Sequence, residues 1–381
     1  VGHTLGLNHN FRASQMLSPE QLASPEVTRE RGVSGSVMDY PAINFAAPGA
    51  AQPLYFSQVP GPYDHWAIEF GYSEALPDPA AEQARLDTIL ARSTEPALAF
   101  GEDSAAMYRS ESGIDPRVLP FDLSNDSLAY AAGRLALHHH ISAGLLQRFE
   151  QQGGTWQDLY NGYLALTDDR AMQFVIASRW IGGLYVDHSV QGQPGADTPL
   201  RPVELARQQQ AMAMLTEQLF APGAWNVDQS IYRHLQRQRR AYNLWAQPQD
   251  PKLHERALDG QRRVLDHLLH PVVMARITDS ALYGNQYTLN LMMADLRSAI
   301  FDADQQGAVS SMRQQLQREY VEKLLAIVDP AAVSGHDYVS RSSALYQLQQ
   351  VQAGLQLSVE DEATRAHRAA LKHRIVTGLD E

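Results

Sequence analysis

The sequence predicts a mainly α protein with a loop-rich N-terminal segment. Three observations carry that expectation. From Pro62 onward apolar residues recur at helical spacing, first at Tyr63, Trp66, Ala67 and Phe70. Before that point, short apolar pieces are cut by turn residues, as in Arg31-Gly32-Val33-Ser34-Gly35-Ser36, Ala47-Pro48-Gly49, Gln52-Pro53 and Pro60-Gly61. With 381 residues, 44% of them hydrophobic, the chain has ample material for a buried core.

Taken in order, residues 1–61 read as turns and loops. A short helix follows over 63–70, closed by Gly71, since glycine commonly sits just past a helix end. The connector Leu76-Pro77-Asp78-Pro79 leads to a helix over 80–92 and then an irregular stretch up to Phe121. Amphipathic helices are expected over 126–152, 156–165, 168–181, 202–220, 230–246 and 251–269, then over 285–304, 309–328, 340–356 and 359–377. Ser358 and Asp361 form a capping arrangement ahead of the last of these. Gln208–Gln210 and Gln347–Gln350 read as solvated helix faces.

Composition narrows the function classes. Lys+Arg 31 against Asp+Glu 43 gives a net charge of −12, which argues against nucleic acid or an anionic membrane as main partner. No apolar run reaches the ~18 residues of a membrane span. Cysteine is absent, so disulfides and thiolate sites are excluded and any metal must rest on histidine and carboxylate. A cysteine-free chain suits an oxidising compartment. The chain opens on Val1 with no leader, so a segment upstream is expected.

The segment richest in chemistry is Val1-Gly2-His3-Thr4-Leu5-Gly6-Leu7-Asn8-His9, which contains H-x-x-G-x-x-H. His3 is expected in the last turn of a helix and Gly6 in the conformation that ends it. The chain then swings back so that His9 meets His3 at one metal. Downstream, Ser36-Val37-Met38-Asp39-Tyr40 matches the methionine turn that accompanies the full motif H-E-x-x-H-x-x-G-x-x-H. In that motif Val1 and Gly2 fill the two variable positions between the first two histidines. The first ligand and the glutamate base are thus expected upstream of this polypeptide.

Here the sequence resembles the metzincin clan of zinc peptidases, and within it large bacterial metalloproteases with a long helical extension. Asp64, Ala67 and Ile68 also match the D-x-x-A-I pattern of the clan's closing helix, and Ile114-Asp115-Pro116-Arg117 adds a looser likeness. The resemblance implies the C-terminal part of a metzincin-like catalytic domain over residues 1–72, followed by an all-α multi-helix domain over 73–381. It implies Zn2+ held by His3 and His9 as second and third ligands, with Met38 as an apolar floor beneath them. It further implies Tyr40 as a stabiliser of the oxyanion, Gly6 and Asn10 as supports, and Asp64 as an anchor of the closing helix. The implied activity is hydrolysis of peptide bonds by metal-activated water, with protein or peptide as substrate and the missing N-terminal part as partner. Lacking one ligand and the base, the fragment is expected to be inactive and to bind zinc weakly or not at all. Export to the periplasm or outer membrane is the implied location.

Other candidates weigh less. His138-His139-His140 is expected on a partly exposed helix face, where consecutive residues point apart and cannot chelate one ion. His254, His267 and His270 read as ordinary helix residues, and His65 as surface or site support. Asp187-His188 sits in a connector. Arg237, Arg239 and Arg240 with Tyr242 and Trp245 read as a solvated face over core aromatics. The rival reading is a non-catalytic helical interaction module with a decayed metal motif.

Overall fold

The computed structural model describes residues 1–106, 113–225, 229–238, 248–329, 331, 335–357 and 361–380. Helix dominates them, as the periodicity predicts, and one two-stranded sheet is present. The chain divides into two compact units, Val1–Gly133 with Gly183–Val203, and Arg134–Gly182 with Glu204–Glu381.

The first unit is more regular at its start than the turn signals suggest. Helices form over Pro19–Leu22 and Pro25–Arg31. Each opens on Ser-Pro-Glu, the serine being the cap. The serine side chain accepts a backbone N–H (Ser18 from Gln21, Ser24 from Val27), and proline fills the first helical position, where no N–H is needed. Leu17, Leu22, Val33, Leu123 and Tyr130 form the core beneath. This unit continues past residue 72, because residues 121–124 pair back onto the N-terminal loops. Phe121 N donates to Tyr40 O at 2.8 Å, Ala42 N to Asp122 O at 3.1 Å and Ser124 N to Ser14 O at 3.0 Å.

The closing helix runs from Pro62 to Tyr72, through Gly71 rather than stopping before it; the chain leaves helical geometry only at Ser73. At its head Gly61 packs so tightly that a Cβ there would overlap the Gly35 carbonyl. The connector around 182–202, expected as loop, holds the sheet: Leu184–Val186 pairs antiparallel with Leu200–Pro202. The Arg117 and Arg201 guanidinium groups lie 4.5 and 4.4 Å from the Tyr185 ring centre. Asp187 closes the loop between the strands by accepting N–H bonds from Ser189 and Asp197. Asp115 accepts from Arg117 and from Val186 N. Burial pushes its pKa up, but the Arg117 bond and the charges of Arg12 and Arg117 outweigh that and hold it below the usual carboxylate value.

The second unit is a helical array, and several boundaries differ from expectation for identifiable reasons. Residues 156–181 form one helix, Trp156–Arg179, not two: Thr167, between the expected pair, bonds its hydroxyl to Tyr163 O at 2.9 Å within an unbroken turn. Residues 126–152 instead break at Gly144 into Ser127–Ala143 and Leu145–Phe149. The helix Pro271–Ser280 was not foreseen. His270 caps it by accepting from Val272 N, and proline again takes the first position. Helices Leu253–Leu268, Leu289–Phe301, Ser311–Val328 and Tyr338–Gly354 bury Val264, Met292, Leu324 and Leu348 completely.

Two histidines of this unit are buried. His138 is buried, with Nε2 2.5 Å from Asp169 Oδ2, while Arg134 meets the same oxygen at 2.6 Å. Only His139 and His140 face out. His267 is buried as well; burial first, then the Arg179 and Arg276 charges, push its pKa well below the usual value. Arg239, Arg240, Tyr242, Trp245 and Ser358 lie outside the described residues.

Candidate metal centre

The site begins as a turn. Residues Gly2–Leu5 form a 3-10 helix, and Gly6 ends it in the left-handed region at φ 79°, its N–H reaching the His3 carbonyl while Leu7 N reaches that of Gly2. Glycine takes that conformation without strain, which is why the motif needs it there. The chain reverses and brings the His3 and His9 rings to a centroid distance of 4.8 Å, steeply inclined at 76°.

Hydrogen bonds then fix each ring. His3 Nδ1 lies 2.9 Å from Leu7 O, and His9 Nδ1 lies 2.9 Å from both oxygens of Asp103. A carbonyl and a carboxylate only accept, so both imidazoles carry their proton on Nδ1 when neutral and present a lone pair at Nε2. Tyr40 Oη sits 2.8 Å from His9 Nε2 and donates to that lone pair.

Beneath the turn lies Met38, buried, its sulfur so close to Gly2 that a Cβ on residue 2 would overlap it. The backbone of the methionine turn is held by two buried polar residues, Asp64 through its carboxylate and Asn10 through its backbone N–H. Asp64, on the closing helix, accepts from Ser36 Oγ at 2.6 Å, Val37 N at 2.9 Å and Gly61 N at 2.7 Å. Asn10 links three strands of chain: its N–H donates to Met38 O at 3.0 Å, its amide to Ala99 O at 3.1 Å, and its carbonyl accepts from Gly101 N at 3.1 Å. Tyr72 adds a bond from its hydroxyl to Leu5 O. The sequence-derived set His3, Gly6, His9, Asn10, Met38, Tyr40 and Asp64 is thus brought together. His65 is exposed on the closing helix, and no bond links it to the two imidazoles.

Asp103 was missed. It stands 94 residues from His9, inside a stretch that reads as irregular, and no local pattern marks it. Only the fold brings it to the ring.

Two further carboxyls lie below Tyr40. Burial pushes Asp39 up from 3.8 to about 7, and burial, with the Asp39 charge adding to it, pushes Asp122 well above its ordinary value. Between 3.8 and about 7 the unfolded chain has released the Asp39 proton that the folded chain keeps. The Asp39 contribution to stability is therefore greatest in acid and falls as pH rises through that window, by about 1 kcal/mol per pH unit for one such group. Urea titrations at a series of pH values are expected to show this fall, and Asp39→Asn to flatten it. An undiminished slope in the variant would assign the effect elsewhere.

The donor set suits a borderline divalent ion: two imidazole nitrogens with their outer protons engaged, and a phenol oxygen beside one of them. It is short of the three protein ligands a catalytic zinc site uses. Among the described residues no group of three or more His, Cys, Asp or Glu is arranged to hold a metal ion.

A family model described as Met-zincin matches residues 1–308, and the chain belongs to that family. It therefore carries a zinc-metallopeptidase-like domain. No curated protein and no solved structure matches the chain significantly. Among the described residues no helix is long and apolar enough to cross a membrane.

Proposed function

We propose that this chain supplies part of the catalytic centre of a zinc-dependent peptidase acting on proteins or peptides. The observation that carries the reading is the pairing of His3 and His9, each with Nδ1 already bonded, above Met38. His3 and His9 would hold the ion through Nε2. Bound zinc would polarise the scissile carbonyl and provide a nucleophile at neutral pH. The Tyr40 hydroxyl, beside His9 Nε2, is placed to donate to an oxyanion developing at the ion, and Asn10 and Asp64 keep the floor from shifting.

Among the described residues the site holds two imidazoles and no glutamate base, and on this reading they alone would hold zinc weakly and leave the attacking water without a base. Export to an oxidising compartment belongs to the same proposal, supported by the complete lack of cysteine.

The test compares the chain as it stands with two versions extended by His-Glu or His-Gln ahead of Val1. Zinc content after dialysis and cleavage of casein are measured in each. Both extended chains are expected to retain zinc, and only the His-Glu version to cleave. Equal cleavage by the two extended versions would defeat the assigned mechanism.

A further inference from the structure

We propose that Asp103 is a positioning residue for the metal centre: it holds His9 as the Nδ1-protonated tautomer and aims Nε2 at the ion. The inference rests on reading His9 as a ligand. Both Asp103 oxygens lie 2.9 Å from His9 Nδ1, and the His9 side chain is 18% exposed against 64% for Asp103. With Asp103 largely exposed, this contact adds little to stability. Its effect falls on the ring. A neutral imidazole must choose which nitrogen carries its proton, and a carboxylate at Nδ1 decides the choice.

The segment bearing Asp103 is anchored for that task. Gly101 N donates to Asn10 Oδ1, and Gly101 O accepts from Phe11 N at 2.8 Å. On the far side Ala106 packs with Phe11 and Val118 in a small buried cluster. The backbone carrying the carboxylate is thus tied to the residues that immediately follow His9 in sequence, so ring and carboxylate move together. His3 has only the local Leu7 carbonyl at its Nδ1. The two rings are therefore held differently: the outer proton of His9 faces a full negative charge, that of His3 a neutral carbonyl.

The experiment uses the 381-residue chain, its Asp103→Ala variant and its Asp103→Glu variant. Long-range proton–nitrogen NMR correlations of the His9 ring are recorded without metal, at a pH where imidazole is neutral, and cobalt(II) affinity is measured from the visible absorption of the bound ion. The unaltered chain is expected to show the Nδ1–H pattern at His9, and Asp103→Ala to shift it towards Nε2–H. Cobalt affinity is expected to fall by about 10–100-fold in Asp103→Ala and to recover in Asp103→Glu. A His9 ring still protonated on Nδ1 in Asp103→Ala, or an unchanged cobalt affinity, would overturn the role. If the unaltered chain binds no cobalt while its His9 pattern still depends on Asp103, the metal reading fails and the hold of Asp103 on the ring stands.

Discussion

Asp64→Ala is expected to lower the unfolding free energy of the first unit by about 3–5 kcal/mol, read by urea denaturation. The size follows from what the carboxylate does. It is buried and accepts from Ser36 Oγ, Val37 N and Gly61 N, so alanine leaves three donors without their acceptor, two of them in buried contacts. Gly61 leaves no room for a local rearrangement to repair this, because it already abuts the Gly35 carbonyl. The loss is coupled to the site: Met38 N donates to Ser36 Oγ, so freeing Ser36 loosens the turn beneath the imidazoles. Asp64→Asn, which keeps one acceptor oxygen, is expected to fall between the parent and alanine. An alanine variant as stable as the parent would show that Asp64 does not hold the methionine turn.

His9→Ala is expected to reduce cobalt(II) affinity by about a hundredfold or more, while Tyr40→Phe, which removes only a hydroxyl, has a smaller effect. The asymmetry follows from position. His9 contributes one of two imidazole donors, and its ring touches His3, Phe11 and Tyr40 at centroid distances of 4.8, 5.2 and 4.7 Å. Its removal takes away a ligand and the ring around which the others pack. Isothermal titration of both variants checks the order; a larger loss in Tyr40→Phe than in His9→Ala would reverse the ligand assignment.

Much of this centre was legible because its determinants are local. Gly6 must turn the chain between two histidines, and the left-handed φ at that residue is the kind of requirement a sequence displays openly. Met38 and Asp64 were readable through resemblance to a known pattern, and the geometry supplies the reason for both: Asp64 is the acceptor that the methionine turn needs. Asp103 was not legible. Its contact with His9 depends on how 99–101 docks on Asn10, a long-range event with no periodicity or spacing to announce it.

The fold divides along the same line. Helical periodicity located most long helices, but where they end or run on depended on local bonds that periodicity does not report, as at Gly71, Gly144 and Thr167. The paired Ser-Pro-Glu starts at Ser18 and Ser24 carried a readable capping signal that the surrounding turn residues masked. The strands Leu184–Val186 and Leu200–Pro202 are three residues each, too short for alternation to stand out between glycines and prolines. His138 carried no sign of burial because its partner Asp169 lies on a separate helix.

The most direct measurement is the position of zinc in crystals of the 381-residue chain soaked in the metal, read from its anomalous scattering. The account predicts one ion shared by His3 Nε2 and His9 Nε2, at about 2.0–2.1 Å from each, with the Met38 sulfur below and unbonded. Zinc bound to one ring alone, or seated elsewhere while both rings keep only their present hydrogen bonds, would contradict it.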